Sequence, residues 1–196
     1  GGESADEFVQ LGERFAEAGI DALEVNLSCP NVQGGKLLFS SDPAATEVAV
    51  RRVRSAVPAA IPIFAKLSPN VTDITAIAKA AEAGGADGLT LINTLIGMAV
   101  DWRKRRPVLA LGIGGLSGPA IKPVALRMVH QVRGAVSIPI LGVGGIATAD
   151  DVLEFLCAGA NAVQIGTANF VDPLRMTALV EEVRELLVGA GTTAAE

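Results

Sequence analysis

Basic residues, cysteines and long hydrophobic stretches are all scarce in this chain. Sixteen Lys and Arg stand against 21 Asp and Glu, for a formal charge of −5 and a pI near 5.0. That balance argues against the basic surface a nucleic-acid-binding domain needs. The longest stretch without a charge, Phe155 to Val171, is interrupted by Gly, Asn, Gln and Thr, so no segment reads as a membrane span. Only two cysteines occur, Cys29 and Cys157. With no secretory leader ahead of them, a reducing, cytoplasmic compartment is expected. An initiator Met is also missing: Gly1-Gly2-Glu3-Ser4 runs at once into a helix with a Ser4-x-x-Glu7 capping box, as though the chain began in the middle of a longer protein.

What the chain does have is enough apolar residue for a core: half of its 196 residues are hydrophobic, which excludes disorder and predicts one globular domain over 1–196. An internal repeat fixes the architecture. Glu17-Ala18-Gly19-Ile20-Asp21-Ala22, Glu82-Ala83-Gly84-Gly85-Ala86-Asp87 and Cys157-Ala158-Gly159-Ala160-Asn161-Ala162 each end a helix on Gly and open an apolar strand. Ile61-Pro62-Ile63 and Ile138-Pro139-Ile140 open two more, with Pro among the first strand residues where it costs no ladder bond. Strands are therefore predicted near 22–27, 61–66, 88–93, 138–143 and 162–166. They are continuously apolar, and helices with clear starts lie between them, such as Asp42-Pro43 and the capping box Thr148-x-x-Asp151. This is the pattern of a parallel α/β fold.

Such strands end in the residues that carry function, here Asn26, Lys66, Asn93, Gly144-Gly145 and Gly166-Thr167. A doubly wound sheet would place its Gly-rich turn after the first strand. The glycines follow the last two instead, as in the phosphate cradle of a (β/α)8 TIM barrel after strands seven and eight. The five strands are then four to eight of a partial barrel. A whole barrel takes about 250 residues, so some three βα units are expected ahead of Gly1, and the sheet should have open edges.

The most specific motif is Asn26-Leu27-Ser28-Cys29-Pro30-Asn31. Turn-forming residues could cap backbone there, but such a loop needs no thiol between two carboxamides. A planar heterocycle rimmed with carbonyls and N–H groups does suit it, since each amide offers donors and an acceptor. An ordinary thiol titrates near ~8.5, close enough to neutrality for Cys29 to act as a base once water is excluded, and Gly34-Gly35 could let the loop move. Lys66 must either snorkel outward or meet an anion at the mouth. Asn93-Thr94 aims a further amide and hydroxyl at the same place. Gly112-Ile113-Gly114-Gly115-Leu116-Ser117-Gly118 reads as an uncharged flexible connection, or a cofactor wrap, into a helix from Pro119 to Arg133. Arg103-Lys104-Arg105-Arg106 reads as a solvated loop, His130 as surface, and Cys157 as a small core residue.

Taken together these residues resemble the class 1 dihydroorotate dehydrogenases, in their FMN-binding catalytic subunit. The likeness runs through Asn26 to Asn31, Ala65-Lys66-Leu67-Ser68-Pro69, Asn93 to Asp101, Gly114 to Pro123, Gly144-Gly145-Ile146 and Gln164-Ile165-Gly166-Thr167. The stretches around Asn93 and Gly114 are more similar to the NAD-dependent 1B subgroup than to the fumarate-reducing one. The membrane-bound class would carry Ser in place of Cys29. Dihydropyrimidine dehydrogenase, the nearest alternative flavoenzyme, would carry His in place of Asn31.

The resemblance implies that Cys29 removes the C5 proton of dihydroorotate while the C6 hydride passes to FMN, giving orotate in pyrimidine biosynthesis. It assigns Asn26, Asn31, Asn93 and Thr94 to the substrate. Asn26, Lys66, Ile92, Gly118, Gly144, Gly145, Gly166 and Thr167 fall to the cofactor. It further implies a homodimer, no bound metal, and a partner subunit carrying FAD and an iron–sulfur cluster to NAD; two distant cysteines cannot hold that cluster here. Two other classes fit parts of the pattern. One is a flavin-free phosphate-binding lyase or isomerase with Lys66 as Schiff base, and the other an interaction module built on part of a barrel.

Overall fold

The computed structural model of the chain describes residues 4–27 and 39–191. Helix α1 (Ala5–Glu17) leads to strand β1 (Leu23–Asn26), α2 (Pro43–Ala56), β2 (Ile63–Lys66), α3 (Ile74–Ala83) and β3 (Gly88–Leu91). An insert follows with four short strands, β4 (Leu95–Gly97), β5 (Val100–Asp101), β6 (Arg106–Pro107) and β7 (Gly114–Leu116). The alternation resumes with α4 (Lys122–Arg133), β8 (Ile140–Val143), α5 (Ala149–Cys157) and β9 (Ala162–Gln164), then α6 (Ala168–Val171) and α7 (Arg175–Ala190).

Five strands form one parallel sheet in the order β1-β2-β3-β8-β9, each joined to the next through a helix or, after β3, through the insert and α4. This is the partial (β/α)8 barrel expected from the sequence. Within this sheet β1 and β9 are the edges. The strands are shorter than predicted, β1 by one residue at each end and the others by two residues at one end. Pro62 and Pro139 lie just before β2 and β8, where their carbonyls still accept from Leu23 and Leu89 N–H, each at 2.9 Å.

The internal repeat has a direct structural task. Asp87 and Asn161, which close two of its copies, each tie a new strand to the start of its neighbour. The Ile63 N–H donates to Asp87 Oδ2 at 2.8 Å and the Ile140 N–H to Asn161 Oδ1 at 2.9 Å, while the backbone N–H of each acidic or amide residue returns a bond at 2.8 Å. Gly85 (φ 94°) and Gly159 (φ 109°) supply the left-handed turn that ends the preceding helix. Helix starts also follow the sequence. The Asp42 side chain accepts from Ala44 N–H ahead of Pro43, Thr148 and Asp151 form a reciprocal capping box, and the Ser4 side chain accepts from Glu7 N–H.

The core lies between the sheet and its helices. Ile63 and Ala65 of β2, Leu89 and Leu91 of β3, and Ile140 of β8 are sealed under Val50 and Val53 of α2, Ile77 of α3, Val129 and Val132 of α4 and Phe155 of α5. Phe155 needs Gly142 beneath it, since a Cβ there would come within 2.5 Å of its ring. Two readings change. Cys157 is exposed rather than core, because α5 buries Ala149, Val152 and Phe155 and a residue two beyond Phe155 points about 200° around the helix. Within the insert, Gly112 to Gly118, read from sequence as a flexible connection or a cofactor wrap, includes β7, which pairs antiparallel with β4, while β5 pairs with β6. The Pro119–Arg133 helix opens as a 3-10 turn over Pro119–Ile121 before α4 begins. His130 is exposed, and the basic run 103–106 spans the turn between β5 and β6 and the first residue of β6. There Asp101 Oδ1 accepts from Arg103 and Lys104 N–H, and the Arg103 guanidinium lies 4.3 Å over the Trp102 ring.

Candidate functional site

Parallel pairing brings the C-terminal ends of the strands to one rim. Asn26 is in register with Lys66, Lys66 with Thr90, and Val143 with Gln164. Beyond β3 the chain crosses the rim: Ile92 N–H donates to Val143 O and Asn93 N–H to Leu67 O, both at 2.9 Å, with a cis peptide between Leu91 and Ile92. A cavity opens at this rim. Lys66, Ile92, Asn93, Thr94, Gly118, Gly144, Gly145, Gly166 and Thr167, all picked out from the sequence, line it. Ser117, Ile121, Val143, Ile146 and Gln164 complete its wall.

One side of the cavity is backbone. Gly145 (φ 79°) packs so tightly that a Cβ would meet Gly118 O at 2.8 Å and the Lys122 N at 2.9 Å. The turn after β8 is thus seated on the start of the next helical segment. Gly118 itself (φ 83°) faces Thr167, whose hydroxyl donates to Ser117 Oγ at 2.9 Å. Gly166 differs from both: nothing lies within 4 Å of where its Cβ would be, and it has no left-handed φ. Behind these turns Lys122 Nζ is 2.5 Å from Asp151 Oδ1 and 2.8 Å from Glu154 Oε2. Asp151 Oδ2 accepts from Ala147 and Thr148 N–H at 2.9 and 2.8 Å. Burial pushes the Asp151 carboxyl up, but the hydrogen bonds from Lys122 and from the two N–H groups outweigh it and hold the group at about 2. Hydrogen bonds to Asp151 and Glu154 raise Lys122 above its ordinary value.

The other side is made of side chains. Lys66 Nζ sits 3.4 Å from Glu24 Oε1. Glu24 Oε2 accepts from the Thr90 hydroxyl at 2.7 Å and from Gln164 Nε2 at 2.8 Å. This carboxylate therefore bridges β1, β2, β3 and β9 across the concave face of the sheet. Asn70 holds the start of the insert, its amide donating to Thr94 O at 3.1 Å and accepting from Ile96 N–H at 2.9 Å.

Asn26 stands at the end of β1 beside Lys66 and is not one of the wall residues. Ser28, Cys29, Asn31 and Gly34-Gly35 lie outside the described residues. Glu24 was not picked out from sequence, although a signal existed: an acidic residue inside the apolar run Ala22-Leu23-Glu24-Val25 calls for polar partners on neighbouring strands. Ser117 and Gln164 were noted only as parts of longer stretches. Among the described residues no helix is long and apolar enough to cross a membrane.

Fold and site define a β/α-barrel protein with a cavity at the C-terminal ends of its parallel strands. The chain belongs to the dihydroorotate dehydrogenase family, whose model matches residues 1–187; the family's enzymes are flavin-dependent. Similar proteins include the catalytic subunit of dihydroorotate dehydrogenase B (NAD(+)) from Listeria innocua, 54% identical over 183 residues, or 93% of this chain and 60% of that protein. The proteins of the same name from Geobacillus kaustophilus and Bacillus pumilus are each 52% identical, over 97% and 100% of this chain and 60% and 63% of theirs. The chain spans about three fifths of the length of these relatives.

Proposed function

We propose that this chain is part of the catalytic subunit of a class 1B dihydroorotate dehydrogenase, a single-domain barrel whose first βα units precede Gly1. In this reading the protein oxidises dihydroorotate to orotate in pyrimidine biosynthesis and passes the electrons to NAD through an FAD and iron–sulfur partner subunit. The carrying observation is the cavity itself. Residues from five separate segments, singled out one by one as cofactor or substrate ligands, line a single space at the barrel rim.

The wall suits FMN. Bare backbone at Gly144, Gly145 and Gly166, with the Thr167 hydroxyl, offers a cradle for a phosphate. Ile92, Ile121, Val143 and Ile146 supply apolar walls, and Lys66, Asn93 and Gln164 supply the cation, donors and acceptors that a carbonyl-bearing ring requires. When bound, FMN supplies the acceptor for the C6 hydride. Asn26, Asn31, Asn93 and Thr94 hold the substrate, Cys29 takes the C5 proton, and Lys66 supplies positive charge where negative charge accumulates. Proton and hydride together account for the two hydrogens lost in forming the ring double bond. A homodimer and the electron-transfer subunit are the partners this reading expects.

The Schiff-base alternative is less well supported, because the Lys66 amine is occupied by Glu24 and its surroundings are amides suited to a heterocycle. The test is an anaerobic dihydroorotate titration of the flavin-loaded full-length protein, following flavin bleaching, with Cys29→Ser in parallel. Bleaching in the parent, slowed roughly 10²–10⁴-fold in the variant, is the expected result. Bound flavin that dihydroorotate does not bleach would refute the substrate, and equal rates would refute the base.

A further inference from the structure

Glu24 meets three polar partners at the rim, Lys66, Thr90 and Gln164, and nothing in the reaction just described uses it. Its side chain is about one third exposed and that of Lys66 about one fifth, so both are partly screened from water on the face where they meet. Each oxygen has distinct work. Oε1 faces the Lys66 ammonium at 3.4 Å, and Oε2 accepts from Thr90, a fully buried hydroxyl, and from the Gln164 amide. Two of the three partners, Lys66 and Gln164, are walls of the cavity.

The chemistry of this arrangement is directional. An ionised carboxylate accepts hydrogen bonds and cannot donate them. It therefore selects one of the two amide orientations of Gln164, with the NH2 spent on Glu24 and Oε1 at the opposite end. It also anchors the flexible four-carbon stem of Lys66 in one place, and its negative charge offsets part of the lysine's positive field. A neutral amide at position 24 would do neither: it could donate as well as accept, leaving the Gln164 orientation open, and it would carry no charge against Lys66.

We propose that Glu24 is a positioning residue that acts through Lys66, fixing where that cation stands and tempering the charge it presents to the bound ring, so that it sets the reduction potential of the flavin. This rests on the flavin reading above and extends it to a residue that touches neither reacting atom. Removing the carboxylate leaves the lysine's charge uncompensated, which stabilises the anionic reduced ring relative to the oxidised one.

The experiment is a spectroscopic measurement of the flavin midpoint potential in the full-length FMN-loaded protein, comparing the parent with Glu24→Gln, Lys66→Met and the double variant. Glu24→Gln is expected to retain flavin and to raise the reduced-to-oxidised ratio about tenfold at a given poise, a shift of about 30 mV for two electrons. Lys66→Met is expected to lower the ratio, and Glu24→Gln to shift it by a clearly different factor in the Lys66→Met background, where the carboxylate's own charge still counts but no cation is left to position. Glu24→Asp, which keeps the charge but withdraws it by one methylene, should give a smaller rise, and it carries the test if Glu24→Gln does not accumulate as folded protein. An unchanged potential in both Glu24 variants, or an equal shift with and without Lys66, would overturn the proposal. Because the potential is read without substrate, a parent that binds flavin but ignores dihydroorotate would overturn the substrate reading and leave this measurement intact. A parent that binds no flavin would overturn both.

Discussion

The two sides of the rim cavity recognise by different means. After β8 and β9 the wall is backbone: the missing side chain of Gly145 lets its turn rest on the next segment, and the backbone of Gly166 lies open. Below β1, β2 and β3 the wall is charge, held by a carboxylate shared among four strands. The first kind of wall depends on close approach at Gly145 and offers backbone rather than side chains to an anion. The second tolerates some change of shape but depends on which atoms are ionised. A planar cofactor with a phosphate tail needs both, the tail met by rigid N–H groups and the ring by polar side chains.

Substitutions that exchange the two kinds of wall should separate them. The largest effect on folding is expected at Gly145. A valine there would adopt φ 79° and meet Gly118 O and Lys122 within 3 Å, costing about 3 kcal/mol in urea unfolding. A loss under 1 kcal/mol would mean that the turn after β8 is looser than its geometry indicates. Acid comes next. Asp151 titrates at about 2 in the fold against 3.8 ordinarily, so it stabilises the folded state above about pH 4 and loses that contribution as pH falls toward 2. A shift of this size corresponds to roughly 2 kcal/mol. Asp151→Asn should therefore flatten the fall in melting temperature between pH 4 and pH 2, and an unchanged profile would contradict the assignment. The smallest effect is expected at the hydroxyl pair: Ser117→Ala removes the acceptor 2.9 Å from Thr167 Oγ1 and should cost about 1 kcal/mol by thermal unfolding. A cost above 3 kcal/mol would show that the insert depends on that bond.

The backbone wall was legible in the sequence, because Gly-Gly and Gly-Thr at the ends of consecutive apolar runs leave few structural alternatives. The repeat was legible for the same reason: Gly85 and Gly159 must turn the chain, and Asp87 and Asn161 must satisfy the first N–H of a neighbouring strand. Lys66 was found because a lysine ending a buried strand demands a partner, yet the partner itself was not. Glu24 lies 42 positions before Lys66 and 140 before Gln164, and only the parallel register brings them together. The short strands of the insert were not legible, because elements of two or three residues carry no alternation to detect. Cys157 was misread because small size was allowed to outweigh the 3.6-residue period of its helix. The motif that spoke most strongly for chemistry, Ser28 to Asn31, lies outside the described residues, so its role rests on sequence.

The measurement that tests the account most directly is FMN affinity in Gly166→Asp. The space beside Gly166 is open and its backbone is ordinary, so the variant should melt within a degree or two of the parent when flavin-free. A carboxylate placed in a phosphate cradle should nonetheless weaken FMN binding at least 100-fold, about 2.7 kcal/mol. Unchanged melting with weakened binding is the predicted result. Unchanged affinity in a folded Gly166→Asp protein would contradict the claim that this cavity holds the cofactor.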